Sequence, residues 1–396
     1  MKFARAVATN VVTRRSRVPM RRSAHLVRTQ HFRDVALSHF SVIVRLFWEK
    51  PIGTDFGNGL VGARALPRAC QLSQSTFVCG KATEGVNGLM IASFPFDHPD
   101  EPVSLYDYAP VLRVRDRRGD WVLKRTGLIH SDGEVIGRWL TALRSLAVDV
   151  VAPAAHLQPN PRRLDDGKEW VVYPFVSGTG YHATVEEIAD AGRLLGRMHA
   201  VDPPEVSALA TYTEPVVRDA EWIKPHLTMA ENAIVAAGAD DHSLRTVTLA
   251  RLAVARPVPG LRLAGCSFDF KASNLVFCPK PTLVDPDHAA RMPRLYDLAV
   301  ALLLFHCDLP TAPGRLWTTG EWAVFLQGYA EHVAFDKAEL EAWQPVLELA
   351  WLDQGVWLLG NWPEGWANEK DRAYLLEVAT FDPASFPLLP DHDEGA

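Results

Sequence analysis

The apolar residues of this chain change their period partway along, and that change limits the folds open to it. Residues 111–115 alternate apolar and polar, Arg118-Gly119-Asp120 supplies a turn, and residues 121–125 resume a strand, so the segment reads as a β-hairpin. Residues 133–147 read as a helix with Ile136, Leu140, Leu143 and Leu146 on one side. Residues 170–176 form a buried strand that runs into Ser177-Gly178-Thr179-Gly180, a flexible connection. Beyond it Ala191, Leu194, Leu195 and Met198 recur at helical spacing, and most of the remaining chain reads as helical. The order is a small strand-rich lobe, a hinge and a large helical lobe: an α+β fold in two lobes, with no internal repeat.

The chain divides into three regions. Residues 1–95 form an N-terminal extension of uncertain structure, 96–176 the small lobe, and 177–396 the helical lobe. Residues 1–33 carry nine Lys or Arg and no acid, so with a net charge of −6 the remainder sums to about −15. The basic arm over 1–45 reads as a disordered tail, the alternative being a targeting or nucleic-acid-contacting arm. The net acidity argues against a nucleic-acid-binding surface over the whole protein. Five cysteines without metal spacing read as thiols in a reducing, cytoplasmic setting. The apolar run over 298–307 is half the length of a membrane span and reads as a helix buried on all sides, so no membrane partner is expected. Gly57-Asn58-Gly59-Leu60-Val61-Gly62 matches G-x-G-x-x-G, but Pro67 comes soon after and the next acid is Glu84, which rejects a dinucleotide loop.

Asp269-Phe270-Lys271-Ala272-Ser273-Asn274, with Asp285 after the apolar Thr282-Leu283-Val284, is the chemically richest stretch. An Asp and an Asn five apart can form a rigid loop whose side chains face one point; an ordinary Asx turn is the alternative. The Asp can accept a proton from a hydroxyl, and the oxygens of Asn274 and Asp285 are hard ligands suited to Mg²⁺. Lys271 could neutralise a migrating anionic group or be a solvated loop lysine. Asp287 could assist or cap the next segment. Lys124 points inward on an apolar strand and needs a counter-charge, which Glu134 at the start of the next helix could supply. Asp297 reads as a structural anchor or helix cap, and His199, His288 and His306 as packing or capping residues. Of the many C-terminal tryptophans most are core, and one or two, with Asp353, Glu364 or Glu369, could form an aromatic and acidic wall for a cationic ligand.

This constellation resembles the aminoglycoside phosphotransferase/choline kinase family, relatives of the protein kinases. The resemblance runs over about residues 100–330, through Val122-Leu123-Lys124, Glu134, Tyr173-Pro174-Phe175-Val176, the helix ending Met198-His199, Ser267-Phe268-Asp269 to Asn274, Leu283-Val284-Asp285 and Asp297-Leu298-Ala299. It implies a bilobal protein-kinase-like fold with a small β-rich N-lobe and a large, mostly helical C-lobe. It also implies ATP and Mg²⁺ as cofactors, Asp269 as catalytic base, and Lys271 near the γ-phosphate. Asn274 and Asp285 would be the metal ligands, Lys124 the phosphate contact paired with Glu134, and Tyr173, Phe175 and Val176 the nucleotide-binding hinge. Ser267 stands where the family has His, and no Gly-rich loop precedes Lys124, although Ser104-Leu105-Tyr106-Asp107 could serve. Pro286-Asp287 after Asp285 and the lack of an Ala-Pro-Glu segment argue against a protein kinase. The expectation is a phosphotransferase moving the ATP γ-phosphoryl group to a hydroxyl of a small molecule, such as an aminoglycoside-like antibiotic, an amino alcohol or a sugar, with an antibiotic-resistance role among its readings. A catalytically silent nucleotide-binding scaffold is the alternative, and the oligomeric state is open.

Overall fold

Strands β1 (Val103–Ser104), β2 (Leu112–Asp116), β3 (Gly119–Thr126), β4 (Arg162–Arg163) and β5 (Glu169–Pro174) form one antiparallel sheet in the order β1-β2-β3-β5-β4. The computed structural model describes residues 90–105, 111–127, 130–165, 167–212, 220–238 and 244–388. The basic arm, the Gly57-to-Gly62 segment, Cys70, Cys79, Tyr106 and Asp107 therefore lie outside the described residues.

Alternation gives the sheet two different faces. Leu112, Val114, Trp121, Leu123, Trp170 and Val172 pack with Met90, Ile91 and Phe94 into a small core. The register sets Arg113 opposite Val122, Val122 opposite Tyr173 and Lys124 opposite Val171, so these residues share the other face. The hairpin turn falls at Arg117-Arg118, one residue earlier than the sequence suggests. Asp116 causes the shift: its Oδ1 accepts from the amides of Arg118 (2.8 Å) and Gly119 (3.1 Å) and from Trp121 Nε1 (2.8 Å).

Helix α1 (Gly133–Ser145) buries Ile136, Trp139, Leu140 and Leu143. Leu146 departs from the expected stripe. The helix ends at Ser145, Ala147 turns the chain at φ 59°, and Leu146 is left 49% exposed. The segment after β5, read as a flexible connection, is stitched down instead. Thr179 and Phe277 exchange both backbone hydrogen bonds at 2.9 Å, and a Cβ on Gly178 would lie 2.3 Å from Phe277 O.

Helix α2 (Val185–Ala200) opens the large lobe with a capping box between Thr184 and Glu187. After it come α3 (Ala220–Ala236), α4 (Leu244–Val254), the strand pairs β6 (Leu263–Cys266) with β9 (Ala290–Pro293) and β7 (Leu275–Phe277) with β8 (Pro281–Leu283), and α5 (Arg294–Leu304). Helices α6 (Thr319–Ala330), α7 (Lys337–Ala350), α8 (Val356–Asn361), α9 (Pro363–Ala367) and α10 (Glu369–Ala379) complete the lobe. A single π-helical turn, Trp351–Gly355, joins α7 to α8. Glycines let α2 and α6 approach backbone to backbone: a Cβ on Gly192 would lie 2.1 Å from Phe325 O, and one on Gly328 2.1 Å from Ala189 O. Every residue of α5 is buried, as its apolar run predicts, and Arg294 at its start is neutralised by a two-pronged pair with Glu339 at 2.7 Å on each prong. No helix among the described residues is long and apolar enough to cross a membrane.

Candidate active site

Strand β6 ends at Cys266, and the next five residues form a loop that α5 holds from beneath. Phe268 has φ 59°, a left-handed conformation that costs a bulky L-residue about 1–2 kcal/mol. Its amide donates to Asp297 Oδ1 (2.8 Å), which offsets that strain. The other oxygen, Asp297 Oδ2, contacts His199 Nε2 (3.0 Å), and His199 Nδ1 meets the Tyr329 hydroxyl (2.9 Å). All three side chains are buried. Asp297 is thus an anchor and not a helix cap, and His199 is a packing residue that carries it. Ligand atoms of His199, Cys266 and Asp297 lie within 4.8 Å of one another, but the His and Asp are spent on each other and burial pushes the Cys266 thiol up, so the trio serves as a clasp.

The clasp aims Asp269 into the junction between the lobes. Asn274, on a short 3₁₀ turn (Ala272–Asn274), donates its Nδ2 to Asp269 Oδ2 (2.9 Å) and to Asp269 O (2.8 Å). That use of the amide nitrogen leaves the amide oxygen as its acceptor end. The Val284 amide donates to Asn274 O (2.9 Å), which places Asp285 beside Asn274 as the chain leaves β8. Lys271 Nζ lies 3.0 Å from Asp269 Oδ2. Burial pushes the Asp269 carboxyl up, with Lys271 opposing and Asp285 adding to the rise. Burial disfavours the Lys271 ammonium, but Asp269 more than compensates and holds it above its usual value. The structure therefore brings Asp269, Lys271, Asn274 and Asp285 to one place.

Lys124 reaches that place from the sheet. Its Nζ lies 2.5 Å from Asp285 Oδ1 and 2.8 Å from Asp287 Oδ2. Burial works against its charge, and the two carboxylates reverse the effect, so its value is raised. The expected partner, Glu134, is not there. Its side chain is 76% exposed, pairs with Arg138 at 2.5 Å one turn along α1, and lines an open groove that shares no residue with the lobe junction. The physical reason is helix phase: the buried stripe of α1 runs through Gly133, Ile136, Gly137 and Leu140, and position 134 falls outside it.

Tyr173, Phe175 and Val176 do line a common gap, closed by Val122, Val151, Val276 and Val284. At about 20 Å³ it has room for roughly one water, so the walls must part before a ring can enter. The Arg113 guanidinium covers the Phe175 ring at 4.0 Å, and the Phe175 amide donates to Asp120 O (2.9 Å). Single apolar positions such as Val151, Val276 and Val284 carry no sequence signal for such a role, and neither does Thr126, whose hydroxyl binds Asp287.

Beside Phe268, the rings of His130, Tyr212 and Tyr296 gather with centroids 5.1, 5.5 and 6.1 Å from it. Asp353 does not form part of an open acidic wall. It is fully buried, and its Oδ2 accepts from Tyr296 (2.6 Å), Gln354 Nε2 (3.0 Å) and Tyr212 (3.3 Å). Glu364 and Glu369 are exposed on the far helices. Trp317, Trp322, Trp343, Trp351, Trp362 and Trp366 are core, as expected, and Trp357 is half-buried.

Solved structures share this fold. Spectinomycin phosphotransferase APH(9)-Ia, solved with ADP and spectinomycin, superposes with a TM-score of 0.52 at 12% identity, covering 76% of this chain and 98% of its own. Amicoumacin kinase hAmiN, solved in complex with AMP-PNP, Ca²⁺ and Ami, gives 0.51 at 15% identity, covering 78% and 96%. At such identities the likeness is one of fold, and it establishes the bilobal kinase-like architecture. No curated protein matches the sequence. Residues 107–343, more than half of the chain, match the profile of the phosphotransferase enzyme family, and the chain belongs to that family.

Proposed function

We propose that this protein moves the γ-phosphoryl group of ATP to a hydroxyl of a small molecule, an aminoglycoside-like antibiotic or a related amino alcohol or sugar. The observation that carries the reading is the Asn274 carboxamide: it fixes Asp269 through Nδ2 while its own backbone carbonyl, bonded to the Val284 amide, keeps Asp285 alongside. The donor set suits a divalent cation, since Asn274 offers a neutral oxygen and Asp285, 12% exposed, a carboxylate turned toward the junction. Mg²⁺ bound there would supply charge neutralisation at the phosphates. Asp269 accepts the acceptor's hydroxyl proton as the new O–P bond forms and the bond to the ADP oxygen breaks. Lys271 stands on the γ-phosphate side of Asp269, and Lys124 addresses the phosphates from the sheet. Tyr173, Phe175 and Val176 receive the base. Residues 96–176 and 177–396 then act as two lobes about this hinge, with 1–95 as an extension. The second reading, a silent nucleotide-binding scaffold, is motivated by Ser267 at the position of the family's His.

The test is ATP consumption measured with Mg²⁺ across aminoglycosides, peptide antibiotics, amino alcohols and sugars. At least one acceptor should give turnover, and Asp269→Asn should lower it by about 10²- to 10⁴-fold without unfolding the protein. Full turnover in that variant removes Asp269 from the chemistry. Nucleotide binding without turnover on any acceptor favours the scaffold.

A further inference from the structure

We propose that Asp287, rather than Glu134, is the residue that positions Lys124 for the nucleotide phosphates. The inference rests on the phosphotransfer reading above and adds to it a positioning group.

Lys124 is buried, and an ammonium out of water needs a fixed counter-charge. Two carboxylates supply one here, and they differ. Asp285 is the more exposed and sits beside Asn274, where a cation would claim it. Asp287 is 3% exposed and lies deeper. Its Oδ1 accepts from Thr126 Oγ1 (3.1 Å) and Tyr173 OH (3.2 Å), and its Oδ2 faces Lys124 Nζ (2.8 Å). Thr126 lies two residues beyond Lys124 on the same face of β3, and Tyr173 comes from the neighbouring strand β5, so adjacent strands bring two hydroxyl donors and one ammonium to one carboxylate. The turn that carries Asp287 is also tied to the small lobe, because Ser131 Oγ donates to Ala289 O (2.8 Å).

This geometry divides the labour. When a cation engages Asp285, Lys124 loses one partner and keeps the other. Asp287 then holds the ammonium extended beneath the phosphates, in the way a helix glutamate would if α1 presented one.

The experiment is a double-mutant cycle on the full-length chain, read by calorimetric binding of ADP at saturating Mg²⁺, the condition in which a cation engages Asp285. Asp287→Asn should weaken binding about tenfold in the wild-type background, and less than twofold when Lys124 is already Ala, a coupling of the size contacting residues show. Glu134→Gln should leave binding unchanged. In turnover assays Asp287→Asn should raise the KM for ATP more than it lowers kcat, while leaving the half-saturating Mg²⁺ concentration alone. Should Asp287→Asn fail to fold, Thr126→Val keeps every carboxylate and removes one Asp287 donor, with the same dependence on Lys124 at about threefold. Equal losses in both Lys124 backgrounds, a comparable loss from Glu134→Gln, or a raised Mg²⁺ requirement overturns the assignment. A wild-type chain that binds no ADP overturns the phosphotransfer reading along with it.

Discussion

Asp297→Ala tests the clasp beneath the loop that carries Asp269, and its cost can be worked from the contacts. The substitution orphans two buried groups, the Phe268 amide (2.8 Å) and the facing His199 nitrogen (3.0 Å). Each buried group left unmatched costs about 1–3 kcal/mol, and breaking a buried charged contact about 3–5 kcal/mol, so a loss of about 4 kcal/mol is expected. That is a large share of the roughly 5–15 kcal/mol that holds a folded protein together. Asp297→Asn should cost less, about 1 kcal/mol, because its oxygen still accepts from Phe268 and the Tyr329 hydroxyl can adapt to either His199 tautomer. Urea unfolding measures both, with an unchanged slope showing that only stability moved. The Ala variant should also lose more activity than its folded fraction explains, since Phe268 is then free to leave φ 59° and carry Asp269 with it. An Ala variant within about 1 kcal/mol of wild type, or equal to Asn, refutes the clasp.

Buried polar groups give two further expected outcomes. His306 is wedged against Trp317 (4.5 Å), with Nδ1 on Arg315 O (2.9 Å) and Nε2 on Tyr181 OH (3.0 Å), and burial lowers its pKa to about 4. A histidine that charges less readily folded than unfolded destabilises the fold as pH falls from about 6.5 toward 4, so urea midpoints should drop across that window and drop less in His306→Gln; parallel curves refute it. Ser267 Oγ is buried without a hydrogen-bond partner, so Ser267→Ala should be neutral or slightly stabilising by thermal unfolding, and a loss above about 1 kcal/mol contradicts that.

The two-lobe architecture is legible in the sequence because pattern carries it: the hairpin over 111–125 with its alternation at 111–115, the continuous apolar run at 170–176, then helical spacing at 191–198, each map onto observed elements. The Asp269-to-Asn274 pairing is legible because the two residues lie five apart and bond each other directly, although Asp297 on α5 holds the loop from outside it. Glu134 misleads because the pairing of Lys124 is a tertiary fact. The true partners lie 161 and 163 positions along the chain from Lys124, and only the folding of β8 against β7 delivers them. Leu146 misleads because the helix boundary, not the apolar pattern, decides whether the last residue of a stripe is covered. Asp353 misleads because a carboxylate in an aromatic stretch looks like a recognition feature until the hydroxyls of Tyr212 and Tyr296 are seen to consume it.

The charge balance at the junction bears on what the site admits. Three carboxylates, Asp269, Asp285 and Asp287, face two ammoniums, Lys124 and Lys271, which leaves one surplus negative charge where little water enters. The rise that Asp285 imposes on Asp269 is the mark of that surplus. A polyphosphate arriving alone would add to the repulsion, at about 4 kcal/mol per unit pair at 4 Å in a surface-like dielectric. On the phosphotransfer reading, a divalent cation bound with it would reverse the sign, satisfy Asp285 and leave Lys124 to the phosphates. On that reading the cluster is matched to a metal–nucleotide pair in preference to either component by itself.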